Sequence, residues 1–285
     1  RTQNTSWYNE SASMTRGSRK EFPTVAVIVV EDGGTYQPVI TIYDGDDPNL
    51  PMWMVFLTRN AAGGNDQRTS KSYYAAGPYP IRKVVMLNGM MVDCQYRSSG
   101  HAANTVKGVT RYNFIDDSST MITDEGDFKR DGNLGDERNS ERTYTKISTT
   151  DIAHTQCNGV AMTVLSNAPI DASTGLPVPT IAVATDGGTN VINHDGTVTE
   201  GYQTIATEHI DLHPDGFMTD GISGATNDSF SLYKIGTIDR LVSYGHRADS
   251  QVINTFLNEG TGECLFEGSS NKLAFAQSQG LLRIS

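Results

Sequence analysis

Long apolar runs are missing: the longest, Val25 to Val30 with its immediate neighbours, falls far short of the roughly 20 residues that a membrane-crossing helix needs. The chain is therefore read as one that does not insert into a membrane. Basic residues are also short, 22 Lys and Arg against 33 Asp and Glu, for a formal net charge of -11. Such a balance repels a polyanion and supplies no basic stripe for phosphates, so nucleic acid is excluded as a partner. Cysteine is limited to Cys94, Cys157 and Cys264, an odd number, widely spaced and without a Cys-x-x-Cys pair. Neither a disulfide framework nor a thiolate metal site is signalled, and three free thiols in a core are expected.

Catalytic signatures are absent as well. The sequence holds no Ser-x-Asp-x-Gly-x-x-Trp box of the sialidase kind, no nucleophile elbow, no His-Glu-x-x-His and no phosphate-binding glycine loop. Helical periodicity is scarce, the best stretches being Thr149 to Thr155 and Ala248 to Leu257, both short.

What the 285 residues do contain is turns and strands: 28 Gly with abundant Ser, Thr and Asn, and 37% hydrophobic residues. A unit of apolar strand, glycine-containing tight turn and second apolar strand recurs five times. The clearest copy runs Thr180 to Thr185, turns at Asp186-Gly187-Gly188 and returns as Thr189 to Asn193. Another runs Thr24 to Val30, turns at Asp32-Gly33-Gly34 and returns from Val39 to Tyr43. Lys83 to Leu87 and Met90 to Tyr96 flank Asn88-Gly89, a strong hairpin signal because both turn residues tolerate the positive φ of a type I′ turn. The last two copies pair Phe217 to Gly221 with Ser229 to Ile235, and Leu273 to Ala276 with Leu281 to Ile284.

The copies stand roughly 40 to 50 residues apart, with one gap about twice as long, which is the period of a propeller blade. The long gap holds Asp116 to Arg142, where nine acidic and four basic residues predict a polar, solvated insertion at about 116 to 142. Strands apolar at every position, such as Val25 to Val30, require burial on both faces, which packing between blades provides. The expectation is one all-β domain over residues 1 to 285, a β-propeller-like repeat of about five to seven blades. The chain begins at Arg1 and stops at Ser285 within an apolar alternation, so a piece of a longer polypeptide is expected. Ser6 to Thr15, strand-like and without an earlier hairpin partner, is expected to complete the sheet of Leu273 to Ile284, or else further chain or a neighbouring subunit does so, because an unpaired edge invites aggregation.

Three stretches carry a family likeness: Ser11 to Gly33 (SASMTRGSRKEFPTVAVIVVEDG), Ile40 to Phe56 (ITIYDGDDPNLPMWMVF) and Val160 to Val198 (VAMTVLSNAPIDASTGLPVPTIAVATDGGTNVINHDGTV). Together they resemble the propeller-like segment of large virion structural proteins of marine podovirus-type bacteriophages. The resemblance spans about Ser11 to Ile284 and implies a tail or capsid appendage, such as a tail fibre, located in the extracellular particle. It implies assembly with other copies of itself and with other virion proteins, or adhesion to a host-surface glycan or protein. It brings no catalytic residues and no cofactor. The chain is accordingly expected not to be an enzyme. The alternative reading is a polysaccharide-degrading appendage enzyme on the same scaffold, a glycoside hydrolase or lyase; a third is a secreted propeller that mediates protein interactions.

Several side chains have the chemistry of a site. His209, Asp211 and His213 alternate, so in a strand they share a face and could offer a metal two imidazoles and a carboxylate; an exposed polar edge explains the pattern more simply, and no metal is expected. Asp44, Asp46, Asp47 and Asn49 resemble the start of a calcium loop, but Val55 stands where a bidentate Glu is needed, and a turn is the more economical account. Trp53, among Met52, Met54, Phe56 and Leu57, is read as core, whereas Trp7 and Tyr8 are read as exposed. Tyr73, Tyr74 and Tyr79, beside Gly77-Pro78, are the candidates for a contact surface. Sequons at Asn4, Asn9 and Asn227 are expected by chance.

Overall fold

The computed structural model describes residues 2–31, 39–57, 81–95, 108–137, 144–172, 174–200, 206–222, 229–235, 239–245, 263–267, 272–277 and 280–284. The chain divides into two compact units, one of Arg1–Asp151 with Asp171–Leu176, the other of Ile152–Ile170 with Pro177–Ser285. Each is built of antiparallel meanders in which strands adjacent in sequence are adjacent in the sheet.

The first unit opens with α1 (Ser6–Asn9), a single turn, and a three-stranded sheet of β1 (Ala26–Glu31), β2 (Val39–Asp44) and β3 (Met52–Leu57). A six-stranded sheet follows, made of β4 (Ile81–Leu87), β5 (Met90–Gln95), β6 (Val109–Asn113), β7 (Ser118–Thr123), β8 (Gly126–Arg130) and β9 (Tyr144–Ser148), with one turn of helix, α2 (Leu134–Glu137), between the last two. The core of this unit is aromatic. Trp7, Trp53, Phe22 and Phe114 meet mostly edge to face, with ring centroids 5.2 to 6.4 Å apart. Ile40, Ile42, Met54, Phe56, Met91 and Tyr112 fill the space between the two sheets.

The second unit begins with β10 (Cys157–Thr163), β11 (Thr180–Thr185), β12 (Gly188–Ile192) and β13 (Val198–Glu200) in one sheet. Next comes a sheet of β14 (Thr207–Leu212), β15 (Phe217–Ile222), β16 (Ser229–Lys234) and β17 (Asp239–Gly245). The last is β18 (Glu263–Glu267), β19 (Lys272–Gln277) and β20 (Gly280–Ile284). Packing between the first two sheets is of small against large: Ala161, Ala182 and Ala184 lie under Ile210, Leu212 and Met218. At Gly159 a Cβ would come 3.3 Å from the Glu208 carbonyl oxygen, so the glycine lets β10 approach β14 closely. β11 is buried at all six positions, as its uninterrupted apolar sequence requires.

All five hairpins read from the sequence are present, as β1–β2, β4–β5, β11–β12, β15–β16 and β19–β20. Of the stretch from Asp116 to Arg142, residues 138–142 lie outside the described residues, and Asp116 to Glu137 is not a solvated insertion. Residues 118–123 and 126–130 are β7 and β8, with Ser119, Met121, Ile122, Thr123, Asp127 and Arg130 buried. Charge does not mark a solvated loop here because several of the charges are absorbed by structure: Asp127 pairs with Arg111 at 2.5 Å, Lys129 and Arg130 lie in β8 with Arg130 buried, and Asp116, Asp117, Asp124 and Glu125 sit in turns. Nor is Thr149 to Thr155 helical. Ala248 to Leu257 lies outside the described residues. Val25 to Val30 is not buried on both faces: Ala26 and Ile28 pack against the aromatic core, while Val25, Val27 and Val29, on the other face, are exposed.

The N-terminal stretch goes to the first sheet. Gly17 N–H donates to the Trp53 carbonyl and Val55 N–H to the Thr15 carbonyl, so residues 15–17 run beside the outer edge of β3 and not beside β19 or β20. Arg16 fixes this pairing. Its buried guanidinium donates to the carbonyls of Trp7, Gly17, Trp53 and Lys20 at 2.9 to 3.3 Å and lies 5.3 Å from the centroid of the Trp53 ring. Trp7, expected at the surface, is fully buried, with its indole N–H on the Phe114 carbonyl at 2.7 Å, and Tyr8 is half-buried. Arg16→Met, of similar length, removes the donor from four carbonyls. It should cost about 2 to 4 kcal/mol in a urea unfolding curve.

Asn88 and Gly89 have φ of 50° and 77°, the left-handed pair that a two-residue type I′ hairpin demands. A Cβ on Gly89 would also fall 2.5 Å from the Ile115 side chain. Gly89→Val is therefore expected to lower stability by more than about 1 kcal/mol, read as a shift of the denaturation midpoint at unchanged slope.

Candidate functional site

The acidic loop after β2 has the highest local density of carboxylates that the sequence singled out. Arg19 comes within 2.6 Å of both Asp44 oxygens and within 2.9 Å of Asp46. Asp46 accepts the backbone N–H groups of Thr24 and Val25, at 2.8 and 3.0 Å. Asp47 accepts both the backbone N–H and the side-chain amide of Asn49. Each carboxylate thus faces donors of this chain: the loop is a set of Asx turns and one guanidinium clamp that brings the segment before β1 against the end of β2. The bond from the Thr24 N–H, with those from Val25 and Arg19, holds the Asp46 carboxyl below the usual carboxylate value. Asp44, followed by Asp46, raises the Arg19 guanidinium above its own.

A second carboxylate acts as a clasp. Asp117, at φ of 58°, accepts the Ser6 N–H and hydroxyl at 2.6 and 2.8 Å and the Leu134 N–H at 3.1 Å, so one side chain starts both helical turns of the first unit. In the second unit the Asn158 side-chain amide donates to Asp186 at 2.8 Å and to the Thr207 carbonyl at 2.9 Å, tying the β11–β12 turn to β14.

Two hairpins share a feature that the sequence reading missed. In Thr123-Asp124-Glu125-Gly126 and in Thr185-Asp186-Gly187-Gly188 the threonine hydroxyl donates to the carbonyl of the closing glycine, at 3.2 and 2.7 Å. The same hydroxyl accepts the N–H of the residue before that glycine, at 3.0 and 3.2 Å. Both glycines have positive φ, 137° and 120°. The pattern Thr-Asp-x-Gly was available as a signal for the β7–β8 hairpin.

His209 and Asp211 lie on β14, opposite Gly221 and Thr219, and His213 lies just past its end. The His213 Nδ1 accepts the Asp215 N–H at 3.2 Å and is 3.6 Å from the Asp215 carboxylate, so this imidazole is turned into the following turn. Among the described residues no group of three His, Cys, Asp or Glu is arranged to hold a metal ion. Cys94 and Cys157 are buried and each is disulfide-bonded, which corrects the expectation of free thiols; pairing through space leaves no trace in their sequence spacing. Tyr73, Tyr74 and Tyr79, the sequence candidates for a contact surface, lie outside the described residues. Among those described, no helix is long and apolar enough to cross a membrane.

The sequence-local antiparallel meanders, two of them four-stranded, define an all-β protein of β-propeller-like class. No family model matches the chain, and no curated protein matches it. Among solved structures it is similar to YCF48, solved bound to a D1 peptide, at 8% identity over 96% of this chain and 84% of that one, with a TM-score of 0.36. It is similar also to Hsv2 of Kluyvelomyces marxianus, at 10% identity over 83% and 82%, with a TM-score of 0.31. Likenesses this distant carry no argument, and the fold class rests on the meanders themselves.

Since the Asp46 carboxyl is held below its ordinary value, its contribution to stability is present above about pH 3.8 and is lost as the pH falls through the lowered value. Asp46→Asn should flatten the acid limb of a stability-versus-pH curve and leave its shape near neutrality unchanged. An acid limb of the same steepness in the variant would show that this loop does not titrate with folding.

Proposed function

We propose that this chain is a structural or adhesive part of a bacteriophage virion, in a tail or capsid appendage, working without chemistry of its own. It acts in several copies, against other copies of itself and other virion proteins, and its exposed loops meet a host-surface glycan or protein. One observation carries the reading. Asp44, Asp46, Asp47, Asp117 and Asp186, which the sequence offers in abundance for acid chemistry or cation binding, each close a turn or join two segments. Carboxylates committed in this way to backbone and side-chain donors of the same chain serve turns and joints between segments. Polar groups so used serve rigidity, and rigidity is what a particle component has to supply.

The virion origin is supported by the resemblance of Ser11 to Gly33, Ile40 to Phe56 and Val160 to Val198 to phage structural proteins. Quantitative mass spectrometry of purified particles is the test. The expected result is a fixed, multi-copy ratio to the major capsid protein. Absence from particles, or cleavage of host glycans by the purified chain, would overturn the reading.

A further inference from the structure

Cys94, the penultimate residue of β5, and Cys157, the first of β10, are each disulfide-bonded and without exposed surface. Both stand where a ladder is irregular. The β4–β5 register slips between Ile81 and Lys83, opposite Gln95 and Cys94, and the β10–β11 register slips between Cys157 and Gly159. A bulge bends its strand and interrupts the pairing, so a ladder opens there more readily than in its middle.

A reduced state also fits these strands. A buried thiol behaves as a small apolar group, and the Cys157 sulfur lies 3.7 Å from the Gly159 carbonyl oxygen, an acceptor in reach of its hydrogen. Which state is populated depends on the surroundings. Glutathione and thioredoxin hold protein thiols reduced in a cytoplasm, while disulfides form and persist where the medium oxidises. A disulfide is undone by direct attack of a thiolate on sulfur, and neither sulfur here offers surface for that attack.

We propose that the bonding of Cys94 and Cys157 is a late, one-way step: the chain folds with both as thiols and is oxidised only after it leaves a reducing cytoplasm. Each sulfur gives up one proton and one electron. The acceptor is a low-molecular-weight disulfide, which takes two of each for every protein disulfide formed and departs as two thiols. Exchange runs through a mixed disulfide made while the irregular end of a strand is open. Bonding removes freedom from the unfolded chain and raises stability, so the oxidised fold opens less often than the reduced one. Return to a reducing medium then finds the sulfurs closed off. For a component made inside a cell and used outside it, the step hardens the fold at the moment of release.

The proposal rests on the reading of the chain as a virion part, but the two fail separately: abundance in particles tests that reading, and the state of the purified chain's thiols tests this one. Cells making the chain are quenched in acid, and thiols are alkylated with iodoacetamide in denaturant; a second sample is purified in the presence of glutathione disulfide before the same treatment. Peptide mass spectrometry should find Cys94 and Cys157 alkylated in the first sample and protected in the second. Alkylation of both in the second would overturn the bond, and protection of both in the first would overturn its late timing. Held in excess dithiothreitol, the folded oxidised chain should keep both protected, with reduction faster by about tenfold or more beyond the urea midpoint. Prompt reduction without urea would refute the one-way step. The reduced chain should keep its β-sheet circular dichroism and unfold at lower urea than the oxidised chain. A reduced chain without that signal would refute the order of folding before bonding.

Discussion

A β-strand makes hydrogen bonds on two sides, and a meander of consecutive strands always leaves its two outermost strands half bonded. In the first sheet the edge of β3 is met by residues 15–17, and this addition depends on Arg16, whose guanidinium gathers carbonyls from Trp7, Gly17, Lys20 and Trp53. That donor set joins the backbone bonds of residues 15–17 to β3 with the burial of Trp7, whose indole also reaches the Phe114 carbonyl. The aromatic cluster of Trp7, Phe22, Trp53 and Phe114 is thus a consequence of edge pairing as much as its cause.

Local chemistry at the turns does similar service. A threonine hydroxyl that both donates and accepts within one hairpin satisfies a glycine carbonyl and an orphan N–H that a two-residue turn would otherwise leave to water. Asp46 and Asp117 do the same for segments far apart in sequence. These devices draw on short polar side chains, which explains how a chain with few large hydrophobic residues in its connections still holds them in place.

The five hairpins were legible because each is specified within a dozen or so residues, by an apolar pair of strands and a turn with the right φ. Three other features were not, each for a physical reason. The β7–β8 hairpin was hidden by carboxylates that the fold places in turns and in the Arg111 to Asp127 pair. The destination of residues 15–17 was hidden because pairing with β3 depends on a partner whose identity no local pattern encodes. The exposure of β1 was hidden because a run of valines reads the same at an edge as at a centre. Of the candidate site residues, His209 and Asp211 lie on one strand while His213, expected on the same face, falls past the end of β14 because Pro214 to Gly216 form a turn, and the role of Asp46 as a backbone cap depends on Thr24, more than twenty residues away.

The clamp at Arg16 also imposes an order of events on synthesis. Its carbonyl partner Trp53 lies 37 residues downstream, and the Phe114 carbonyl that holds Trp7 lies 107 residues beyond it. At roughly 5 to 20 residues per second, the N-terminal segment emerges from the ribosome several seconds to tens of seconds before the second of these partners exists. During that interval a tryptophan and an arginine that end in the core are carried in water. The first sheet consequently finishes late, and Trp7 and Arg16 are among the last residues of the first unit to reach their final neighbours.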